Sequence, residues 1–176
     1  MAIDRQKTET VHWHAVFTAS RAEKKVRDRL EELGVECFLP AQTVLRQWTY
    51  RKSRVVVPVI AGLVFVRVSR QEQVKVLQTK GVVAFLRLKG EAGAAVIPDK
   101  QMEDFRFLLD FSEEAVEMTN ENIKAGDLVR VVKGSLRGME GELIRHKGVT
   151  KVLVRIDMLG CAMVNIPASF VEKLNK

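Results

Sequence analysis

Residues 46–54 read Arg46-Gln47-Trp48-Thr49-Tyr50-Arg51-Lys52-Ser53-Arg54, four cations placed around two aromatic rings. Cationic side chains pair with phosphate oxygens, and exposed aromatic rings stack on unpaired bases or pack on another protein. The chemistry available here is recognition of a polyanion; the competing reading is a solvated loop with Trp48 folded back onto its own sheet. Catalytic chemistry is not legible. His12, His14 and His146 have no cysteine or carboxylate partner at metal-ligand spacing. Ser20 and Ser53 lack a recognisable base, and no phosphate-cradling glycine loop occurs. The expectation is a binding protein rather than an enzyme, with no cofactor and no metal.

A second pattern lies further on, where Gly126 to Gly141 read GDLVRVVKGSLRGMEG. Val129 and Val131 alternate with Arg130, as a half-buried strand requires. Gly134 and Gly138 free the backbone for a turn, and Gly141 permits close approach of a neighbouring strand.

The 176 residues leave room for two small domains. No run reaches the roughly 18 apolar residues that span a bilayer, and the start has no apolar stretch of signal-peptide length, so a soluble cytoplasmic chain is expected. Cys37 and Cys161 are isolated and expected to be reduced, buried thiols. The net charge of +7 is unevenly spread. Residues 1–111 hold 19 basic against 13 acidic residues; residues 112–123 hold four glutamates and no base; residues 124–176 hold ten basic against five acidic residues. Two basic blocks around an acidic joint point to two domains that each meet a polyanion, although ordinary surface charge reads the same way.

The elements that must position these residues follow from periodicity. Residues 1–10 are polar and read as loose. Trp13 to Thr18 reads as a strand. Ser20 with Glu23 has the form of a capping box, opening a helix whose apolar face is Ala22, Val26, Leu30 and Leu33 and which Gly34 ends. Strands are expected at 35–39, 43–45, 55–59, 63–68 and 82–88. Helices are expected over 70–79, with Val74 and Leu77 inward, and from Pro98-Asp99, with Met102, Phe105, Leu108 and Leu109 inward. The condensed order is β-α-β-β-α-β-α, an antiparallel sheet with helices to one side. Residues 112–123 lack an apolar period and read as a flexible linker. Five short strands then follow, over 127–132, 140–146, 151–156, 161–166 and 170–174, with glycine-bearing turns, which predicts a small barrel. The β-branched run through Lys151-Val152-Leu153-Val154-Arg155-Ile156 and the many glycines argue against a helical alternative for this part, since each interior glycine costs a helix about 1 kcal/mol. The barrel is expected to form in the free protein and to tumble at least partly independently.

The glycine-bearing run and the aliphatic strand after it resemble the KOW motif of an SH3-like barrel. Trp13, the charged helix, the basic hairpin, Ile60-Ala61-Gly62-Leu63-Val64-Phe65-Val66, Lys80-Gly81-Val82 and Ile97-Pro98 look like the N-terminal (NGN) domain of the NusG family of transcription elongation factors. The resemblance runs over 13–174. Val64-Phe65-Val66-Arg67 is most similar to the specialised RfaH-like and UpxY-like antiterminators. The family often has Pro-Gly-Tyr where this chain has Ala61-Gly62-Leu63, a departure that alters a turn and an aromatic contact.

The resemblance implies an α+β N-terminal domain over 1–111, a linker over 112–123 and a five-stranded KOW barrel over 124–176, marked by Gly126, Gly134, Gly138 and Gly141. It implies a monomer that binds the clamp helices of RNA polymerase through an apolar patch of Phe17, Leu63, Phe65 and Phe85, and so suppresses pausing or termination. The alternative for those four residues is plain core. It implies contact with non-template DNA or nascent RNA through Arg21, Lys24 and Lys25 at the start of the first helix, beside Arg46, Trp48, Arg51, Lys52 and Arg54 of the hairpin. The KOW domain would recruit a ribosomal protein or termination factor. Two other readings fit the same residues: a housekeeping NusG, and an RNA-binding or ribosome-associated KOW protein that never touches polymerase.

Overall fold

The structure is a computed structural model that describes residues 9–175, so the loose segment expected over 1–10 lies, but for Glu9 and Thr10, outside the described residues. The elements begin with β1 (His12–Thr18), α1 (Glu23–Glu32), β2 (Glu36–Phe38), β3 (Ala41–Trp48), β4 (Arg51–Pro58), β5 (Leu63–Val68), α2 (Glu72–Leu77) and β6 (Val82–Phe85). They continue with α3 (Asp99–Phe111), β7 (Glu117–Thr119), β8 (Asp127–Val131), β9 (Glu140–His146), β10 (Val149–Ile156), β11 (Gly160–Asn165) and β12 (Val171–Lys173). The class is α+β with antiparallel pairing throughout. Four strands, β2 to β5, stand between α1 and α2, one for each of the strands expected at 35–39, 43–45, 55–59 and 63–68 and two more than the condensed order carries.

Two compact units result. Of the described residues, one unit comprises 9–39 with Gly62–Val96, and the other comprises Pro40–Ala61 with 97–175. The hairpin and α3 thus belong with the C-terminal strands, whereas the charge pattern divides the chain near residue 112.

In the first unit the strand order is β2-β5-β1-β6. β1 is central, and Trp13, His14, Ala15 and Val16 are all buried, so both faces of the sheet are covered at that point. α1 buries Val26 and Leu30. It ends in a Schellman arrangement, with Val35 N–H donating to Leu30 O and Gly34 N–H to Glu31 O, and Gly34 at φ +74. Its start departs from expectation. Arg21 takes φ +58, Ala22 is the N-cap, and Ser20 caps nothing. The Glu23 carboxylate is buried and accepts from Gly62 N–H at 2.7 Å, which fixes the turn before β5. The reciprocal capping bonds occur instead at α2, where Ser69 N–H donates to Glu72 (2.9 Å) and Glu72 N–H to Ser69 Oγ (3.4 Å). α2 buries Val76, while Val74 and Leu77, expected inward, are exposed.

In the second unit α3 buries Met102, Phe105 and Leu108, with Leu109 half-buried. It packs on β10, and Gln101 Oε1 accepts from Asp157 N–H at 2.8 Å. The C-terminal strands form a six-stranded sheet, β12-β8-β9-β10-β11-β7. The five expected strands are present, but no closed barrel is found: among the described residues nothing pairs β12 with β7. The acidic segment 112–123, expected as a linker, supplies the sixth strand instead, covering the β11 edge that would otherwise expose unpaired backbone groups. Three contacts hold it. Val116 is buried and exchanges two hydrogen bonds with the Gln42 amide (2.8 and 3.1 Å). Glu117 pairs with the buried Lys151 at 2.7 Å. Gly160 lets Thr119 approach so closely that a Cβ there would lie 2.1 Å from Thr119 O.

Candidate functional site

In the first unit, register decides which side chains share a surface. Residues directly opposite in an antiparallel ladder stand side by side, and neighbours along a strand alternate. Ala15 pairs with Phe65 and Phe17 with Leu63 across β1 and β5, and Phe38 of β2 pairs with Phe65. Phe17, Leu63, Phe65 and Phe38 therefore lie on one face, with Phe38 and Phe65 stacked at 6.1 Å. Phe85 is the correction. It pairs with Val16 and meets the His14 ring edge-on at 5.8 Å, so it belongs to the opposite face. That face also receives α1 and α2, through Cys37 Sγ to Arg27 O and His14 to Gln73. The regular β1–β6 register puts Ala84, not Phe85, beside Phe17, and shifts only beyond it, between Phe17 and Thr18. Of the four expected patch residues, Phe17 alone is exposed, at 41%; Leu63, Phe65 and Phe85 are buried.

His14 is an unforeseen buried polar residue on the other face. Its Nδ1 lies 2.7 Å from Ala95 O. A carbonyl oxygen only accepts, so Nδ1 carries the proton and Nε2 is left as acceptor towards Gln73. Burial holds the His14 pKa below its ordinary value, against the opposing pull of the Ala95 bond. Burial likewise raises the Cys37 thiol to about 11, leaving it protonated and unreactive.

At the start of α1, Arg21, Lys24 and Lys25 are all exposed. Lys24 and Lys25 occupy the first turn, where the helix dipole disfavours cations by roughly 0.3–1 kcal/mol each.

The hairpin of β3 and β4 belongs to the second unit. Its register runs from Ala41↔Pro58 to Trp48↔Arg51. One face carries Gln42, Val44, Arg46 and Trp48 with Val57, Val55, Ser53 and Arg51; the other carries Thr43, Leu45 and Gln47 with Val56, Arg54 and Lys52. The expected cluster is thus split, with Arg46, Trp48 and Arg51 on one side and Lys52 and Arg54 on the other. Trp48 is 57% exposed and Tyr50, in the turn, 97%. Trp48 does not fold back onto a sheet.

The model of the family described as "Transcription termination factor nusG" matches residues 11–106, which take in β1 through most of α3. The chain belongs to the NusG family. No curated protein sequence matches it. Among solved structures it is similar to "Domain interaction in Thermotoga maritima NusG", at 23% identity over 94% of this chain and 98% of that one, with a TM-score of 0.47. It is also similar to two forms of an MjSpt4:Spt5 complex. Conformation B matches at 16% identity over 93% of this chain and 97% of that one (TM-score 0.32), and conformation A at 16% over 93% and 99% (TM-score 0.30). With TM-scores below 0.5, these likenesses are weak beside the family match.

The NusG-family match stops short of the C-terminal sheet, where the glycine-bearing run lies. There Gly134 and Gly138 take φ +81 and +94. Cβ atoms at Gly126 and Gly141 would press to 2.2 Å on Leu143 O and 2.8 Å on Leu153 O. Behind them Arg155 grips Glu142 through two bonds (2.6 and 2.9 Å) and donates to Ile123 O, while Glu142 accepts from Gly126 N–H. The Arg155 bond holds the Glu142 carboxyl below its ordinary pKa. In this NusG-family chain these contacts anchor the run to the strands around it. Among the described residues no group of three or more His, Cys, Asp or Glu side chains could hold a metal ion. No helix described is long and apolar enough to cross a membrane.

Proposed function

We propose that this NusG-family transcription factor is an elongation and antitermination factor that acts by binding, not by catalysis. The NGN domain over 1–111 would bind the clamp helices of RNA polymerase, and the KOW domain over 124–176 would recruit a second partner such as a ribosomal protein or termination factor. The carrying observation is Phe17, a large apolar side chain left exposed near the end of a central strand in which Trp13 to Val16 are buried, inside the segment that matches the family. Its flanks, Leu63 and Ala84, provide an apolar floor. A partner helix laid on such a surface buries an aromatic anchor of the kind that dominates interface energetics.

To suppress pausing, the factor must bind the closed clamp better than the open one; equal affinity for both would shift nothing. Arg21, Lys24 and Lys25 supply cations at a helix start where they gain no local stability, which favours a partner of negative charge such as exposed non-template DNA. The Val64-Phe65-Val66-Arg67 strand favours an operon-specific, RfaH-like or UpxY-like member over a housekeeping one.

The test is capture of RNA polymerase by the tagged full-length chain after nuclease treatment, alongside pausing assays on purified elongation complexes. Retained capture with shortened pauses is expected, and Phe17→Ala is expected to weaken polymerase binding by about 2 kcal/mol. Loss of all polymerase after nuclease treatment would favour an RNA-binding KOW protein and overturn the proposal.

A further inference from the structure

The C-terminal end of α3 is charged against its own dipole. Asp110 stands in the last turn, which holds no basic residue, and Glu113 and Glu114 follow directly. Carboxylates there meet the partial negative charge of unpaired helix carbonyls, so they weaken the helix rather than support it. None of the three makes an ion pair among the described residues, in a chain of net charge +7. Glu117, Glu140 and Glu142, by contrast, each meet a cation. The loop is also pinned. Ser112 N–H donates to Leu108 O at 3.0 Å, Ser112 Oγ donates to Glu114 O at 2.6 Å, and Val116 is held by Gln42.

Beside this loop a cavity of about 230 Å³ opens within the second unit. Glu113 and Glu114 border it on one side, and Leu136, Ile166 and Phe170 give it an apolar side. Leu136 and Ile166 are buried and Phe170 is half-buried. Gly134 holds the Phe170 ring in place: a Cβ there would lie 3.1 Å from it. Lys133 borders the same cavity, yet it pairs with neither carboxylate.

The volume falls below the roughly 300–1,000 Å³ of small-molecule sites and suits one long side chain. That side chain must satisfy an apolar wall and two unneutralised carboxylates together. A phosphate-bearing chain is repelled by the carboxylates, and an aliphatic side chain would cover them without pairing them. Arginine meets both demands. Its methylenes cover apolar surface, while its planar guanidinium bonds carboxylates and stacks on an aromatic ring.

We infer that this cavity receives an arginine side chain of a partner protein, its stem against Leu136 and Ile166 and its guanidinium between Phe170 and the carboxylates of Glu113 and Glu114. This deepens the second-partner part of the proposed function, on which it rests, by giving the C-terminal unit a site and the partner a chemistry. The site lies outside residues 11–106, which match the family, and the acidic segment forms part of it.

The probe is the tripeptide Ac-Leu-Arg-Leu-NH2, titrated into the isotope-labelled full-length chain and followed by NMR. The same peptide with Lys, Gln or Glu in the central place is titrated beside it. The arginine peptide should shift the Leu136 and Ile166 methyl signals and the Phe170 ring signals saturably, and less so as salt rises. The lysine peptide should bind several-fold more weakly, and the glutamine and glutamate peptides should not bind. Glu113→Gln with Glu114→Gln should weaken arginine-peptide binding by about tenfold or more. The same double change should leave the melting temperature unchanged or slightly raised, because both carboxylates are exposed and oppose the helix dipole. Phe170→Leu, which keeps an apolar wall but removes the ring, should weaken binding about threefold.

Equal binding of the arginine peptide and any of the others, or unchanged affinity in the double variant, would overturn the inference. So would a lowered melting temperature in that variant, which would give the carboxylates a structural role. Thr43 and Leu109 border a second cavity that the same carboxylates line, so shifts centred on those two residues would overturn the choice of cavity. If no peptide binds while polymerase capture after nuclease treatment persists, this inference fails and the proposed function stands. Arginine-peptide binding with loss of all captured polymerase separates them in the other direction.

Discussion

Phe17 and Leu63 stand directly opposite each other across the β1–β5 ladder, yet Phe17 is 41% exposed and Leu63 is 2% exposed. Two apolar side chains on one face of one sheet thus have different roles: Leu63 holds the unit together and Phe17 is free to meet something else. Phe65, on the same face, is fully buried.

The contrast predicts opposite signatures on truncation. Phe65→Ala removes a buried ring stacked on Phe38 and should cost about 3–5 kcal/mol of stability. Phe17→Ala should cost under about 1 kcal/mol while weakening polymerase binding. Urea unfolding of both variants, beside the binding assay, checks this; a large stability loss for Phe17→Ala would return it to the core.

Lys151 and Glu117 join the acidic segment to the C-terminal sheet, with the ammonium buried and its partner half in solvent. Glu117→Gln should destabilise by about 1–3 kcal/mol, because it leaves a buried charge without its counter-ion. Lys151→Met, which removes the charge instead, should be close to neutral. Equal losses from both changes would mean that the ion pair itself, not the stranded ammonium, sets the cost. Amide exchange at the β7 N–H groups that bond to β11 should be slow in the wild type and faster in Glu117→Gln.

A methyl group at Gly160 would sit 2.1 Å from Thr119 O, on a residue whose φ is +108. Gly160→Ala should therefore cost roughly 2 kcal/mol or more and strip β7 from the β11 edge. Gly148→Ala, at φ +82 with nothing within 4 Å, isolates the backbone strain alone and should cost about 1–2 kcal/mol. Calorimetry on the pair separates strain from collision.

His14 should make stability fall in mild acid. Burial, with the charge of His12 adding to it, sets its folded-state pKa below the ordinary 6.5. The unfolded chain then binds more protons than the folded one as the pH drops, so stability is fully present above about pH 6.5 and is lost as the pH falls through the folded value. Glu142 acts lower: its carboxyl is depressed below 4.5, so its contribution is lost only as the pH falls beneath that. Unfolding free energies of wild type and His14→Phe between about pH 7 and pH 5 should converge towards the acid end. Parallel curves would mean that His14 does not titrate in that window.

Local pattern determined much of this protein. The amphipathic helix ending at Gly34, the Pro98-Asp99 helix start and the five C-terminal strands are legible because each depends on neighbours in sequence: a left-handed position, a fixed proline φ, an alternation of period two. The basic and aromatic composition of the hairpin is legible for the same reason. Tertiary structure alone decided the rest. Glu23 left its expected cap to serve Gly62, 39 residues away, because a buried carboxylate needs a donor wherever one lies. Phe85 turned away from Phe17 because it stands opposite Val16 in the β1–β6 ladder, and neighbours along a strand point to opposite faces. Residues 117–119 became a strand because β11 offered an open edge, although their own composition reads as linker. Which cations flank Trp48 was likewise set by cross-strand register, a relation between positions on two strands that no local periodicity carries.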